Sequence, residues 1–193
     1  MLGGAVLIWS AAVLAGIGWI WRYASTPGTD PVAPTTWPAA SRLERDPALP
    51  TLVMLAHPRC PCTRASLEEL SALMNSVSGQ IRTYIVFHKP LGVEEGWEQS
   101  YTLTRAREIP GAKVVVDEGG AESRRFGAHV SGTTLLYDER GHLLYEGGIT
   151  GSRGHVGDNP GRQRLASLIK TRTADKPTSP VYGCPLAETG RTP

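Results

Sequence analysis

Cys60 and Cys62 stand one residue apart in the run His57-Pro58-Arg59-Cys60-Pro61-Cys62-Thr63-Arg64-Ala65-Ser66. A cysteine becomes chemically useful when its sulfur is held as a thiolate, the form that attacks disulfides and binds soft metals. Two local features favour the thiolate here. Arg59 and Arg64 bring positive charge. The run also sits where a helix is expected to begin, and a first turn carries unpaired N–H groups and a partial positive charge. A third cysteine, Cys184, lies in Pro180-Val181-Tyr182-Gly183-Cys184-Pro185. Three cysteines are too few for a disulfide scaffold and leave one over in any single-bridge scheme. As a dithiol couple, Cys60 and Cys62 would close a small, strained ring, and strained disulfides are oxidising and labile. Either can instead pair with Cys184, because the tail beyond the last helix is free to fold back; an unengaged terminal thiol is the other reading. Two thiolates plus a histidine or a third thiolate also suit Cu(I), and His57 is adjacent.

The elements that must position these sulfurs follow from hydrophobic spacing. Leu52-Val53-Met54-Leu55-Ala56 is an apolar, β-prone run leading straight into the motif. Leu70, Leu73, Met74 and Val77 then recur at helical spacing, giving a helix over 61–78 stopped by Gly79. Further strands are expected at 81–87 and 114–116. A helix at 97–108 ends at Pro110-Gly111, and a short one spans 119–126. Leu135-Leu136-Tyr137 and Leu143-Leu144-Tyr145, joined by Asp138-Glu139-Arg140-Gly141, make a hairpin before a last helix at 160–172. Alternating strands and helices imply a parallel sheet, to which the hairpin adds an antiparallel edge.

The chain has 193 residues, a formal net charge of +2 and 40% hydrophobic residues, which suits one domain plus appendages. Its basic residues are scattered, so no nucleic-acid footprint is present. Residues 1–21 carry no charged side chain and meet the ~20 residues needed to cross a bilayer. Trp19, Trp21 and Tyr23 suit an interfacial belt. With no basic n-region and no small-x-small site, the expectation is an uncleaved transmembrane anchor over 1–23 rather than a signal peptide. Arg22, Arg42 and Arg45 follow the span, which argues against export of the remainder. A working dithiol couple argues for it, because the cytosol is reducing. The latter is preferred: a single-pass protein with its domain on the periplasmic, extracytoplasmic side. Residues 24–50 hold Pro27, Pro31, Pro34, Pro38, Pro47 and Pro50 and few large apolar side chains, which reads as an extended linker holding the domain off the membrane. The folded domain is then 51–172, with 173–193 a tail carrying Cys184.

This order of elements, with a cysteine motif after the first strand, resembles the thioredoxin-like superfamily, nearest its membrane-tethered TlpA-like and Sco-like branches. Val116-Asp117, Arg125-Phe126-Gly127 and Thr134-Leu135-Leu136-Tyr137-Asp138 with Gly141 resemble the later half of TlpA-type domains. The tether, the HPRCPC motif, GGITGSRGH and VYGCPL together are similar to RedB-like proteins. The resemblance implies an α/β thioredoxin-like fold, a central mixed sheet flanked by helices. The activity does not follow from the fold; the cysteine pair itself leads to the expectation of a thiol–disulfide oxidoreductase acting on a protein dithiol or disulfide partner without a cofactor, with Cys60 and Cys62 as the redox pair and Cys184 as a third catalytic participant.

The sequence departs from the family pattern in two places. Placing Pro61-Cys62 on the end of a Cys-x-x-Cys motif puts Arg59 where the attacking cysteine would be. The cis-proline of such folds falls on Gly132, so Gly132 and Thr133 are the residues expected to face the cysteines and bind substrate. In this fold the last strand ends on the cysteine edge, so the loop Gly147–His155 would rim the site, with Arg153 and His155 beside Arg59 as candidates for favouring a thiolate or docking a partner. Sco-like proteins bind copper through two cysteines and a histidine, and His129 stands nearly in that place. The alternative is therefore a copper-binding protein using Cys60, Cys62 and His129 or Cys184.

Overall fold

A strand covered on both faces needs apolar side chains at every position, and Leu52-Val53-Met54-Leu55 supplies them. In the computed structural model, which describes residues 2–172 and 178–187, this run is β1 (Thr51–Ala56), buried throughout. It lies parallel to β2 (Arg82–Lys89) and antiparallel to β4 (Thr133–Tyr137). β3 (Ala112–Glu118) continues parallel beyond β2, and β5 (Leu143–Gly147) antiparallel beyond β4. The two residues of β6 (Thr178–Ser179), which no sequence pattern announced, add parallel to β5. The sheet order is β3-β2-β1-β4-β5-β6. This mixed sheet with its flanking helices is a thioredoxin-like fold. The expected tail over 173–193 is described only at 178–187; residues 173–177 and 188–193 lie outside the described residues.

Strand alternation divides the core in two. Leu52, Met54 and Ala56 pack with Leu67, Leu70 and Leu73 of α2 (Pro61–Ser76) and with Leu165 and Ile169 of α5 (Pro160–Thr171). On the same side α3 (Tyr101–Arg107) contributes Leu103 and Ala106. It begins later than the spacing suggested, because the Ser100 hydroxyl caps it by accepting the Leu103 N–H. Val53 and Leu55 face the other way, among Tyr84, Leu135, Tyr137 and Phe126. Near that face runs the five-residue α4 (Ala121–Arg125), too short to cover it.

The Pro-rich segment covers it instead, which corrects the expectation of a free spacer. Trp37 meets Phe126 and Tyr137 edge-on, with ring centroids 5.0 and 5.3 Å apart. Leu43 is buried, and the Tyr137 hydroxyl donates to the Pro34 carbonyl at 3.0 Å. Backbone bonds run from Val32 N–H to Gly127, from Trp37 N–H to Gly141 and from Leu143 N–H to Thr35. Proline suits this work, since it holds the chain extended without demanding a partner for its nitrogen. The folded unit thus begins well before residue 51.

α1 (Leu2–Ser25) is long and apolar enough to cross a membrane, and its large side chains from Val6 to Tyr23 are exposed. Register then sets the working edge of the sheet. Leu55 pairs with Thr133, and Gly147 with Thr134. The end of β1, the start of β4 and the end of β5 therefore lie together.

Candidate functional site

Cys60 is the N-cap of α2, with Pro61 in the first helical turn and no side-chain cap bond. A proline there sacrifices only an N–H that has no helical partner. The junction is tied down by small hydroxyls. The Thr63 hydroxyl donates to the His57 carbonyl at 3.0 Å and lies 2.9 Å from the Ser131 hydroxyl. Ser131 Oγ also accepts the His57 N–H at 2.9 Å. These bonds lash the motif to the strand-entry segment 129–132, whose Gly132 N–H donates to the Leu55 carbonyl.

Onto that same segment folds the tail. The Ser131 N–H donates to the Cys184 carbonyl at 2.8 Å, and the Leu186 N–H to the His129 carbonyl at 2.9 Å. Val130 and Pro185 form an antiparallel bridge. The Cys184 sulfur comes within 2.8 Å of the Cys60 sulfur, and its backbone N–H points at that sulfur from 3.4 Å. All three cysteines are free thiols. Cys60 is 2% exposed, Cys62 7%, so Cys184 is the sulfur that closes over the other two.

The three sulfurs shift one another's acidity in opposite directions. The hydrogen bond from the Cys184 thiol, then that from Cys62, holds the Cys60 pKa far below the ordinary thiol value against the opposing effect of burial. The Cys184 N–H and the start of α2 act in the same direction. Cys184 is pushed far up, first by its bond to Cys60 and then by that to Cys62. For Cys62, Cys184 pulls the pKa down, but Cys60 and burial outweigh it and the net shift is upward. These directions favour the charge on Cys60, with the other two thiols donating to it.

The remaining candidates are distributed as follows. Arg153 reaches the site from the loop after β5: its guanidinium donates to the Gly183 carbonyl and lies 4.9 Å over the Tyr23 ring. Its N–H donates to the Ala24 carbonyl at 3.0 Å. Arg153 therefore joins the end of α1, the loop and the tail. His155 is exposed, its carbonyl accepting from the Asn159 amide. Arg59 turns outward, its guanidinium 4.4 Å from the Trp97 ring centroid and bonded to the Trp97 carbonyl. Gly132 holds the strand entry at φ +93°, where a Cβ would meet the Ser66 hydroxyl at 3.0 Å. Thr133 is buried and spends its hydroxyl on the Val130 carbonyl. His129 is exposed, and the bond that ties it to the tail is through its backbone. Among the described residues no group of three or more His, Cys, Asp or Glu side chains is arranged to hold a metal ion.

Sequence reasoning missed Ser131, Thr63 and Gly183. Of these, Gly183 had a signal: a glycine directly before a cysteine marks a close approach, and here a Cβ would lie 1.9 Å from the Ser131 carbonyl oxygen.

No family model matches the chain, and no curated protein matches it significantly. Among solved structures, it is similar to an uncharacterized conserved protein from Geobacillus kaustophilus (TM-score 0.61, 16% identity, 87% of this chain and 95% of that one). It is likewise similar to a hypothetical protein from Sinorhizobium meliloti 1021 (TM-score 0.58, 19% identity, 83% of this chain and 93% of that one). A secreted Mycobacterium tuberculosis disulfide oxidoreductase homologous to E. coli DsbE matches at a TM-score of 0.44, with 12% identity over 63% of this chain and 81% of that one. At these identities the likeness to the first two is one of fold alone.

Proposed function

We propose that this chain is a membrane-anchored thiol–disulfide oxidoreductase whose attacking group is the Cys60 thiolate. The observation that carries the reading is the cluster of free sulfurs at the N-cap of α2, with Cys60 and Cys184 2.8 Å apart. A thiolate held at a helix start by two thiol donors is poised for exchange. It attacks one sulfur of a partner disulfide, forming a mixed disulfide and releasing the partner's other sulfur as a thiolate. A second cysteine of this chain then attacks Cys60, a new internal disulfide forms, and the partner leaves as a dithiol. Two electrons pass from the chain to its partner, and the reverse sequence oxidises the partner. Anchoring through α1 and an extracytoplasmic site fit this chemistry, since a disulfide couple persists outside the reducing cytosol.

The test uses the full chain in detergent micelles, reduced anaerobically and offered glutathione disulfide or Cu(I) in separate experiments. Exchange that disappears in Cys60→Ser supports the reading. Near-stoichiometric Cu(I) binding without exchange overturns it in favour of a copper carrier using the same sulfurs. Protease added to spheroplasts should shave off the domain, and full protection there refutes the orientation.

A further inference from the structure

An attacking sulfur approaches a disulfide along a line through the bond being broken. On Cys60 the approach is occupied. Cys184 covers its sulfur, and Cys60 is nearly without exposure. The covering segment is held along its whole length. Ser179 pairs with Gly147, and the Val181 carbonyl accepts the Gly28 N–H at 2.8 Å. The Gly183 carbonyl accepts from Arg153, and Cys184 and Leu186 bond to Ser131 and His129. Val181 and Leu186 are buried. Gly183 fits because it has no side chain: its Cα passes against the Ser131 carbonyl.

We infer that residues 178–187 are a hinged arm that fills the exchange site of its own chain, with Cys184 as the resolving thiol it carries. The inference rests on the oxidoreductase reading and adds the order of events. The arm lifts, and Cys184 leaves Cys60. The Cys60 thiolate attacks the partner disulfide in the space vacated, and one partner sulfur departs as a thiolate. The arm reseats along Ser131 and His129, bringing the Cys184 thiolate onto the Cys60 sulfur of the mixed disulfide. The Cys60–Cys184 bond forms, the bond to the partner breaks, and the partner's second sulfur leaves. The partner sulfur released first takes the proton of the Cys184 thiol, which frees the Cys184 thiolate, and the sulfur released second takes its proton from water. The Cys60–Cys184 disulfide then latches the arm shut until a dithiol reduces it.

The test uses the full chain in micelles at about pH 9.5, above the ordinary thiol pKa, so that thiolate content does not limit the rate. Iodoacetamide labelling of Cys60 is read by mass spectrometry on that peptide. Gly183→Ala cannot seat the arm, and its Cys60 should label at least about tenfold faster than in the unmodified chain, since labelling tracks the open population. Hydrogen exchange on the unmodified protein is the second measurement. The Ser131 and Leu186 amides should exchange slowly in the disulfide form and faster after reduction. Equal labelling together with equal exchange in the two redox forms overturns the arm. If Gly183→Ala opens Cys60 yet no form exchanges with glutathione disulfide, the arm stands and the oxidoreductase reading falls. If the unmodified chain exchanges and opening the arm changes neither labelling nor exchange rate, the reverse holds.

Discussion

Replacing Cys184 by alanine removes the thiol that donates to the Cys60 sulfur across 2.8 Å, while leaving the backbone N–H that points at it. A hydrogen bond to a charged group contributes about 1.5–3 kcal/mol. At 1.36 kcal/mol per pKa unit, the Cys60 pKa should rise by about 1–2 units. Cys184→Ser keeps a hydroxyl donor in the same place and should restore most of the acidity, which a purely steric role for Cys184 would not do. The assay is the pH midpoint of Cys60 alkylation in the reduced full chain, read on the Cys60 peptide. Accessibility alone scales the rate at every pH and leaves the midpoint where it is, and unchanged hydrogen-exchange protection of the Leu186 amide in both variants shows that the arm, with the Cys184 N–H, is still seated. A midpoint in Cys184→Ala within about 0.3 unit of the unmodified chain, against the 1–2 units expected from a lost charged hydrogen bond, would refute the idea that Cys184 holds the thiolate. So would a shift that serine leaves uncorrected.

A chain beginning at Ser41 loses Trp37 from its contacts with Phe126 and Tyr137, and should be less stable than one beginning at Pro27 by about 3 kcal/mol, the lower end for losing a packed tryptophan. Equal urea midpoints for the two would show that the Pro-rich segment is a spacer after all. His88 offers a pH test. Burial, the largest cause, with Arg124 in the same direction and Asp117 opposing, holds its pKa below the ordinary value. On acidification the unfolded chain binds the proton first, so this contribution to stability is full above about pH 6.5 and is lost as pH falls toward the folded value. His88→Gln should flatten the decline in stability between about pH 7 and 5 relative to the unmodified protein, where this linkage operates; an unchanged slope counts against it.

What was legible in the chain was whatever neighbours in sequence decide. The apolar run 52–56 and the helical spacing of Leu70, Leu73 and Met74 report a strand covered on both faces and a helix with one buried stripe, and those periods survive into the structure. Their junction placed Cys60 and Cys62 at a helix start. The resemblance, with the antiparallel turn of the hairpin, put Gly132 and the loop after β5 on the same edge. Two things lay beyond reach, and the partner of Cys184 was left open between two readings. The Pro-rich segment contains too few large apolar residues to announce itself as core, and it is needed because the sheet face bearing Val53 and Leu55 has only a five-residue helix near it. Arg59 was expected at the sulfurs, yet its direction is a choice of side-chain rotamer, settled by the Trp97 ring and carbonyl 38 residues away. Cys184 meets Cys60 across 124 residues. Closing so long a loop adds little entropy that distinguishes one ending from another. The destination was therefore set by the backbone groups of His129 and Ser131, the space at Gly183 and the two buried side chains of the arm, all of which exist as a site only once the sheet has formed.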